Sequence, residues 1–408
     1  MRSQPRQFPT SGFEAIDPSD KVEEERLPYY RREDYYPMRI GDVIKERYQV
    51  VAKLGYGTTS TVWLSRDLDK ERYWVLKVYI NTLEHNQELN VYQHLAEAEV
   101  DADDPGRQHV RRAEDSFRVK GPNGEHDVLI MTPLNMSLAA FQDMQPNKVF
   151  QQNLVTSGLT QVLLGLDFLH EAGVIHTDIH PDNLLIGLRD DSILHSVEET
   201  EMHSPSPRKT IDDTIIHVSQ YMLGGGGPLT ISDLGQARIG SELRGPAMPM
   251  SYRAPEVILN MPWGKAVDTW ATGILAWDLL EGKSLFRVYD EESEEQNDAH
   301  HLAAMTALLG PPPPEFLKRS EETKKYWNEE GECSPCNIIC LSARQWRGPV
   351  PLPEMDLQSL ASALTGHDKE MFLSYLECVL DWLPEERLKI LQVYFHPWLG
   401  QKRPPGLE

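Results

Sequence analysis

No stretch of this 408-residue sequence is apolar for long enough to cross a bilayer, so a membrane-spanning helix and a membrane partner are excluded on hydropathy. Residues 1–9 lack the hydrophobic core of a secretory signal, and the chain is expected inside the cell, in the cytoplasm, the nucleus or both. Cysteine is scarce: four residues are too few for a disulfide framework and suit a reducing compartment. Cys333, Cys336 and Cys340 cluster, but His367 and Cys378 are too remote to complete a zinc site, so free thiols are expected. Positive charge is short as well. With 40 Lys and Arg against 63 Asp and Glu, the net charge of −23 is the wrong sign for a direct nucleic-acid partner. It suits a cationic partner, a solvated acidic face being the plainer alternative. There is no internal repeat, and the apolar content suffices for a sizeable core.

What the sequence does contain is Val174-Ile-His-Thr-Asp-Ile-His-Pro-Asp-Asn-Leu-Leu-Ile186, an acid, an amide and histidines set between two apolar β-type runs. Phosphoryl transfer asks a protein for a carboxylate that accepts a hydroxyl proton, an amide that holds a metal, and positive charge around the phosphates. Asp178 and Asn183 fit the first two. Alone, the segment also reads as a polar turn between core strands.

Other parts of the chain supply candidates for the rest. Residues 1–28 mix proline, serine and charge without period and are expected as a mobile tail, followed by an aromatic lead-in, Tyr29 to Asp42, packed on a sheet. Tyr48–Leu54 and Thr61–Leu64 read as strands joined by Gly55-Tyr-Gly-Thr-Thr-Ser60, a turn whose glycines let backbone N–H groups approach phosphate, or an ordinary hairpin. Lys77 interrupts the apolar run 73–80 and needs a buried partner. Glu88 shares a helical face with Val91, Tyr92 and Leu95 and can be that partner; Glu84, one turn earlier, competes. Residues 101–126 read as a loop with room for one strand, Val128–Met131 as a buried strand, and Thr132-Pro133 as the point where a smaller lobe gives way to a larger one. A helix through residues 161–170 leads into the loop around Asp178. Residues 189–228, with Gly224 to Gly227, read as an insertion or flexible linker. Asp233, after a short strand and before Gly235, suits a second metal ligand or a plain turn. Further on come Tyr252-Arg-Ala-Pro-Glu256, an apolar helix 267–277 capped by Asp268, Arg387 as a partner for Glu256, and a last helical segment closing at residues 396–399.

In this order these motifs resemble a eukaryotic-type protein kinase, over roughly residues 40–400, and within that class the SR-protein kinases, which phosphorylate serines in Arg/Ser-rich segments. The closer likeness rests on Ile40-Gly41-Asp42, Leu54 to Trp63 with serine for a third glycine, His176-Thr-Asp178, Asp233-Leu-Gly235, and the insertion, which puts Asp233 55 positions after Asp178. The resemblance implies an α+β, two-lobed fold. Its β-rich lobe would span about 40–133 and its larger, mainly helical lobe about 134–399, with a spacer about 189–228 and a second tail at 400–408. It implies ATP and Mg2+ as cofactors, a basic Arg/Ser-rich protein as partner, and a monomer. Asp178 would be the catalytic base, and Asn183 and Asp233 the magnesium ligands. Lys77, held by Glu88, would clamp the phosphates. Leu54, Gly55, Gly57, Ser60 and Val62 would roof the nucleotide, with Met131 and Leu134 at the adenine.

Two positions depart from the family pattern. Thr177 replaces the arginine that binds an activating phosphate, and Ser241 is the only hydroxyl of the segment Gln236 to Met250, so activation without phosphorylation is expected. His180 replaces the lysine two places after the base, and a neutral imidazole would slow the transfer. The acidic run from Tyr289 to Asp298 is expected either to dock guanidinium-rich substrate or to be a solvated loop. Two rivals are a small-molecule kinase of the aminoglycoside or choline type, disfavoured by Tyr252–Glu256 and Arg387, and a pseudokinase, disfavoured by the full set Lys77, Glu88, Asp178, Asn183 and Asp233.

Overall fold

The apolar, β-branched runs form one antiparallel sheet of six strands: β1 Val43–Ile44, β2 Tyr48–Tyr56, β3 Ser60–Asp67, β4 Arg72–Tyr79, β5 Ala113–Lys120 and β6 Glu125–Met131, in the order β1-β2-β3-β4-β6-β5. The structure, a computed structural model, describes residues 2–222, 224–287, 289, 293–328 and 346–400. The chain divides into two units interleaved in sequence. Met1–Ala96, Val110–Ser137 and Leu185–Gly235 make the first, and Glu97–His109, Leu138–Leu184 and Gln236–Glu408 the second. The division therefore falls after Ser137 rather than after Pro133, and the insertion goes with the sheet. Among the described residues no helix is long and apolar enough to cross a membrane.

In the first unit the two-residue period of the strands sends Tyr48, Val50, Trp63, Trp74, Leu76, Val78, Val128 and Ile130 to one face, closed by Met38 and Ile44 with Tyr36 and Ile40 from the aromatic lead-in. Val51, Leu64 and Tyr73 point the other way, onto Leu194, Val197 and Met222 of the insertion and Phe8 of the N-terminal segment. A sheet covered on both faces explains why its inner strands read as nearly continuous apolar runs. β5, the one strand for which the loop 101–126 left room, is an edge strand. Its charged residues alternate with Phe117 and Val119, which pack inward, so the polar composition concealed it.

The mobile tail and the flexible linker are corrected by the structure. The insertion forms a helix, Ser192–His203, and a hairpin, Arg208–Ile211 with Thr214–His217. The N-terminal segment lies against it: Ala15 bridges Arg208, the Arg208 guanidinium stands 4.1 Å from the Phe13 ring centroid and 2.9 Å from Glu201, and Lys209 meets Glu25 at 2.8 Å. Lys53 of β2, 1% exposed, pairs with Glu24. Burial here comes from ion pairs between segments far apart in the sequence, a signal that hydropathy does not carry. The cysteines Cys333, Cys336 and Cys340 and the tail 401–408 lie outside the described residues; Cys378 is a half-buried free thiol.

In the second unit the helix Ala266–Glu281 is buried almost all round, flanked by the helices Gln152–Glu171 and Gly366–Val379. Gly273 lets the last of these approach, since a Cβ there would stand 2.8 Å from side-chain atoms of Val379 and Leu380. Arg387 forks onto Glu256 through two bonds of 2.7 Å, both side chains buried, and donates a third at 3.1 Å to Ala266 O.

One buried group of the first unit makes stability depend on acid. Neither ring nitrogen of His217 has a hydrogen-bond partner among the described residues, and burial, then Arg208, Lys53 and Arg39, pushes its pKa down to about 3. A folded-state pKa below the ordinary value of about 6.5 gives stability that is complete above pH 6.5 and is lost as pH falls toward 3. By pH 5 the loss is about 2 kcal/mol. Denaturant titrations at pH 7 and pH 5 should show it for the wild type, and His217→Leu should remove most of the difference.

Candidate active site

The candidate residues fall into two sets, one in each unit. In the first unit Lys77 sits on β4 opposite Val62 of β3 and Leu129 of β6. Its Nζ is 2.5 Å from Glu88 Oε2 and 3.3 Å from Asp233 Oδ1. Glu88 enters from the helix Gln87–Glu97 and also accepts the Tyr79 hydroxyl at 2.7 Å. Glu84 is exposed and precedes that helix, which settles the choice between the two carboxylates. Burial opposes charge on Lys77, yet Glu88 and Asp233 hold its pKa above the ordinary lysine value, so the ammonium is kept.

Asp233 has a left-handed backbone, φ 60°, costly for a residue with a Cβ. The conformation lets its Oδ1 take the Gly235 N–H at 3.2 Å as well as facing Lys77. A Cβ on Gly235 would stand 3.0 Å from that oxygen, so glycine is what leaves the carboxylate its place. Gly55 and Gly57 are different: neither has positive φ, and a Cβ on either would meet nothing within 4 Å. Packing within the protein does not call for these glycines, whereas a ligand lying close against the backbone would. Ser60 is buried opposite Tyr79 and Met131 is buried opposite Val75, while Leu54 and Leu134 are half-buried.

In the second unit the loop around Asp178 is built on one buried carboxylate. Asp268 does not cap its helix as expected. It lies in the first turn, after Lys265 has made the cap position, and turns inward. Its Oδ2 accepts the His176 N–H at 2.9 Å and a His170 Nε2 contact at 2.8 Å, and its Oδ1 accepts the Thr177 N–H at 2.8 Å. Burial would raise its pKa, but His170 and the backbone donors outweigh burial and hold it below the usual carboxylate value. Thr177 has φ 66°, a strained conformation for a β-branched residue, and its hydroxyl donates to Gln236 O at 2.9 Å. Asp178 follows directly. Its Oδ2 and backbone O accept the Asn183 amide at 2.8 and 2.9 Å, which leaves the Asn183 carbonyl oxygen for a cation.

His180 stands 3.6 Å from Asp178 Oδ1 and 3.4 Å from Asp182 Oδ2. Burial works against a charged ring, but these two carboxylates outweigh it and push the pKa up to about 9. Asn183 Nδ2 lies 3.0 Å from His180 Nε2, a contact only the neutral ring accepts, and the pair of acids prevails over it. Where a neutral imidazole was expected, the carboxylates of Asp178 and Asp182 favour the charged ring.

The segment after Gln236 is anchored at three places. Arg238–Ile239 pairs with Val174–Ile175, Leu243 and Trp263 exchange backbone hydrogen bonds, and Arg253 is gripped by Glu294 at 3.1 Å and Asp298 at 3.6 Å. Of the acidic run expected either to dock substrate or to be a solvated loop, Asp290, Glu291 and Glu292 lie outside the described residues. Glu294 and Asp298 serve this internal clamp, which sequence reasoning missed. The pairing of an exposed acid with the arginine of Tyr252–Glu256 has no local sequence signal.

A buried lysine–glutamate pair beside an acid, in one unit, and a carboxylate hydrogen-bonded to the asparagine five places on, in the other, are groups of the kind that phosphoryl transfer uses. Residues 48–399 match the protein kinase domain family. The chain is 39% identical over 404 residues to a serine/threonine protein kinase of Aspergillus fumigatus, covering 97% of this chain and 95% of that one. It is 27% identical over 406 residues to the serine/threonine-protein kinase SRPK of Physarum polycephalum, covering 94% and 92%, and 36% identical over 204 residues to human SRSF protein kinase 3, covering 48% and 36%. The chain belongs to the protein kinase family and is a serine/threonine protein kinase. Its α+β fold and its use of ATP and Mg2+ follow from that membership.

Asp268→Asn replaces one of the two accepting oxygens with a donor that faces a backbone N–H. The loop carrying Asp178 should shift, and kcat should fall about 100-fold with little change in the KM for ATP. Steady-state kinetics on the folded variant check this.

Proposed function

We propose that this kinase transfers the ATP γ-phosphoryl group to serines in Arg/Ser-rich basic protein segments, with Asp178 as catalytic base, Lys77 and His180 as phosphate-facing cations, and Asn183 and Asp233 as the magnesium ligands. The observation that carries the residue roles is the pair of preorganised contacts, Lys77 with Glu88 and Asp178 with Asn183. A degenerate site has no reason to keep both, which favours an active kinase over a pseudokinase. The Glu256–Arg387 fork favours a protein substrate over a small molecule.

Each group has a definable task. Asp178 accepts the proton of the substrate hydroxyl as the oxygen attacks, and Asn183 holds the carboxylate in place through the bond to Oδ2. Lys77, kept charged by Glu88, orients phosphate oxygens; Gly55 and Gly57 leave room for the nucleotide beside the backbone. The Asp233 carboxylate and the Asn183 carbonyl oxygen are hard oxygen donors that would hold magnesium, which would supply neutralisation of phosphate charge. The substrate class is supported by the net charge of −23 and by the likeness to proteins named SRPK and SRSF protein kinase. Such substrates place its work in the cytoplasm or nucleus.

Lys77→Met and Asp178→Ala should each cut phosphorylation of an Arg/Ser peptide by at least about 1000-fold, with circular dichroism unchanged. Radiolabelled ATP transfer measures this, and near wild-type turnover in either variant rejects the assigned roles. Replacing Asp290, Glu291, Glu292 and Glu295 by serine, and sparing Glu294 because it holds Arg253, should raise the peptide KM several-fold and leave the ATP KM alone. The wild-type peptide KM should climb with salt. An unchanged peptide KM in the variant would make the run a solvated face.

A further inference from the structure

The glycine-rich turn is held by a residue that precedes the family-matched region. Within the turn, the Gly57 N–H closes onto Ser60 O at 2.8 Å, and the Ile80 N–H donates to Thr59 O at 2.9 Å. Two outer carbonyls remain, those of Gly57 and Thr58. The Tyr35 hydroxyl lies 3.0 Å from both, its one proton shared between them. A Cβ on Gly55 or Gly57 would meet nothing within 4 Å, so at these two positions the backbone is not packed against the protein, and the hydroxyl ties the outer side of the turn to the segment before it.

Tyr35 is itself anchored. Its ring is 5.2 Å from that of Tyr30. It follows the short turn Arg32–Asp34, where Asn81 donates to Asp34 O and Glu33 O, each at 3.0 Å, and where Arg32 reaches Asp212 of the insertion hairpin at 3.1 Å. Burial, then Glu24 and Asp34, pushes the phenol pKa up to about 12, so the hydroxyl keeps its proton at any working pH.

We propose that Tyr35 is a positioning residue for the nucleotide: through the carbonyls of Gly57 and Thr58 it fixes the glycine-rich turn in one conformation. The proposal rests on the kinase reading above. The family match begins at residue 48, so this anchor is an addition to the shared machinery. A free turn must be ordered each time nucleotide binds; a turn already held avoids that entropic cost.

The test compares the full chain with Tyr35→Phe, which keeps the ring against Tyr30 and loses only the hydroxyl, and with Arg32→Ala, which loosens the anchor from behind. Calorimetry with a non-hydrolysable ATP analogue and magnesium should show the Kd raised about five-fold in Tyr35→Phe, the loss of roughly one hydrogen bond, and raised by a smaller factor in Arg32→Ala. The KM for ATP should rise in parallel, while the peptide KM and the nucleotide-free melting temperature stay as in the wild type. Equal analogue affinity in Tyr35→Phe and wild type overturns the proposal. So does a fall in melting temperature with matching losses for peptide and nucleotide, which marks a merely structural contact. The binding arm needs no turnover, so an inactive chain that binds nucleotide still decides the role of Tyr35. A wild type that binds no nucleotide overturns both this and the kinase reading.

Discussion

The catalytic loop depends on a single carboxylate that never touches a substrate. Asp268 is fully buried and ionised, a state that is costly unless every lone pair is used. It is used: two backbone N–H groups of the loop and the His170 ring converge on it. Those bonds offset the strain of Thr177 in a left-handed conformation, of order 1–3 kcal/mol. They place Asp178 at the end of a backbone that has nowhere else to go. The helix carrying Asp268 is buried almost all round, so the carboxylate cannot move without moving the core of its unit.

The sheet unit is organised by charge in a different way. Lys77 keeps its ammonium because Glu88 and Asp233 flank it, while Lys53, Arg208 and Lys209 pair with Glu24, Glu201 and Glu25 of the N-terminal segment and the insertion. The first arrangement serves phosphate; the second closes one face of the sheet. Buried pairs of this kind specify a geometry more than they add stability. That suits segments that must lie in one register over a sheet on which a catalytic lysine depends.

What the sequence made legible were residues out of place in their surroundings. A lysine in an apolar strand, an acid on an apolar helix face and an arginine near the end of the chain each need a partner, and Glu88, Lys77 and Glu256 could be named for them. Asp268 was legible as important but not in its role, because an acid before a helix and an acid in its first turn look alike until the backbone is placed. The insertion and the N-terminal segment were misread because their burial runs through ion pairs. Lys209 and Glu25 are 184 positions apart, and no window of composition joins them. Tyr35 was seen only as one aromatic among several; its function lies in a hydroxyl aimed at two backbone oxygens.

The two departures from the family pattern make sense together once charge is followed. A kinase that waits for phosphate needs an arginine before its base; here Thr177 spends its hydroxyl on Gln236, and the segment beyond is held by Glu294 and Asp298 on Arg253. With Thr177 in that place, the loop makes its contact to the segment without a cation beside Asp178. His180 follows the same economy of charge. Flanked by Asp178 and Asp182, whose charges favour its protonated form, it stands where a lysine would, on a ring with fewer rotatable bonds and so a smaller entropy loss on being fixed. Both substitutions replace a long, mobile cation by a short group held by its neighbours.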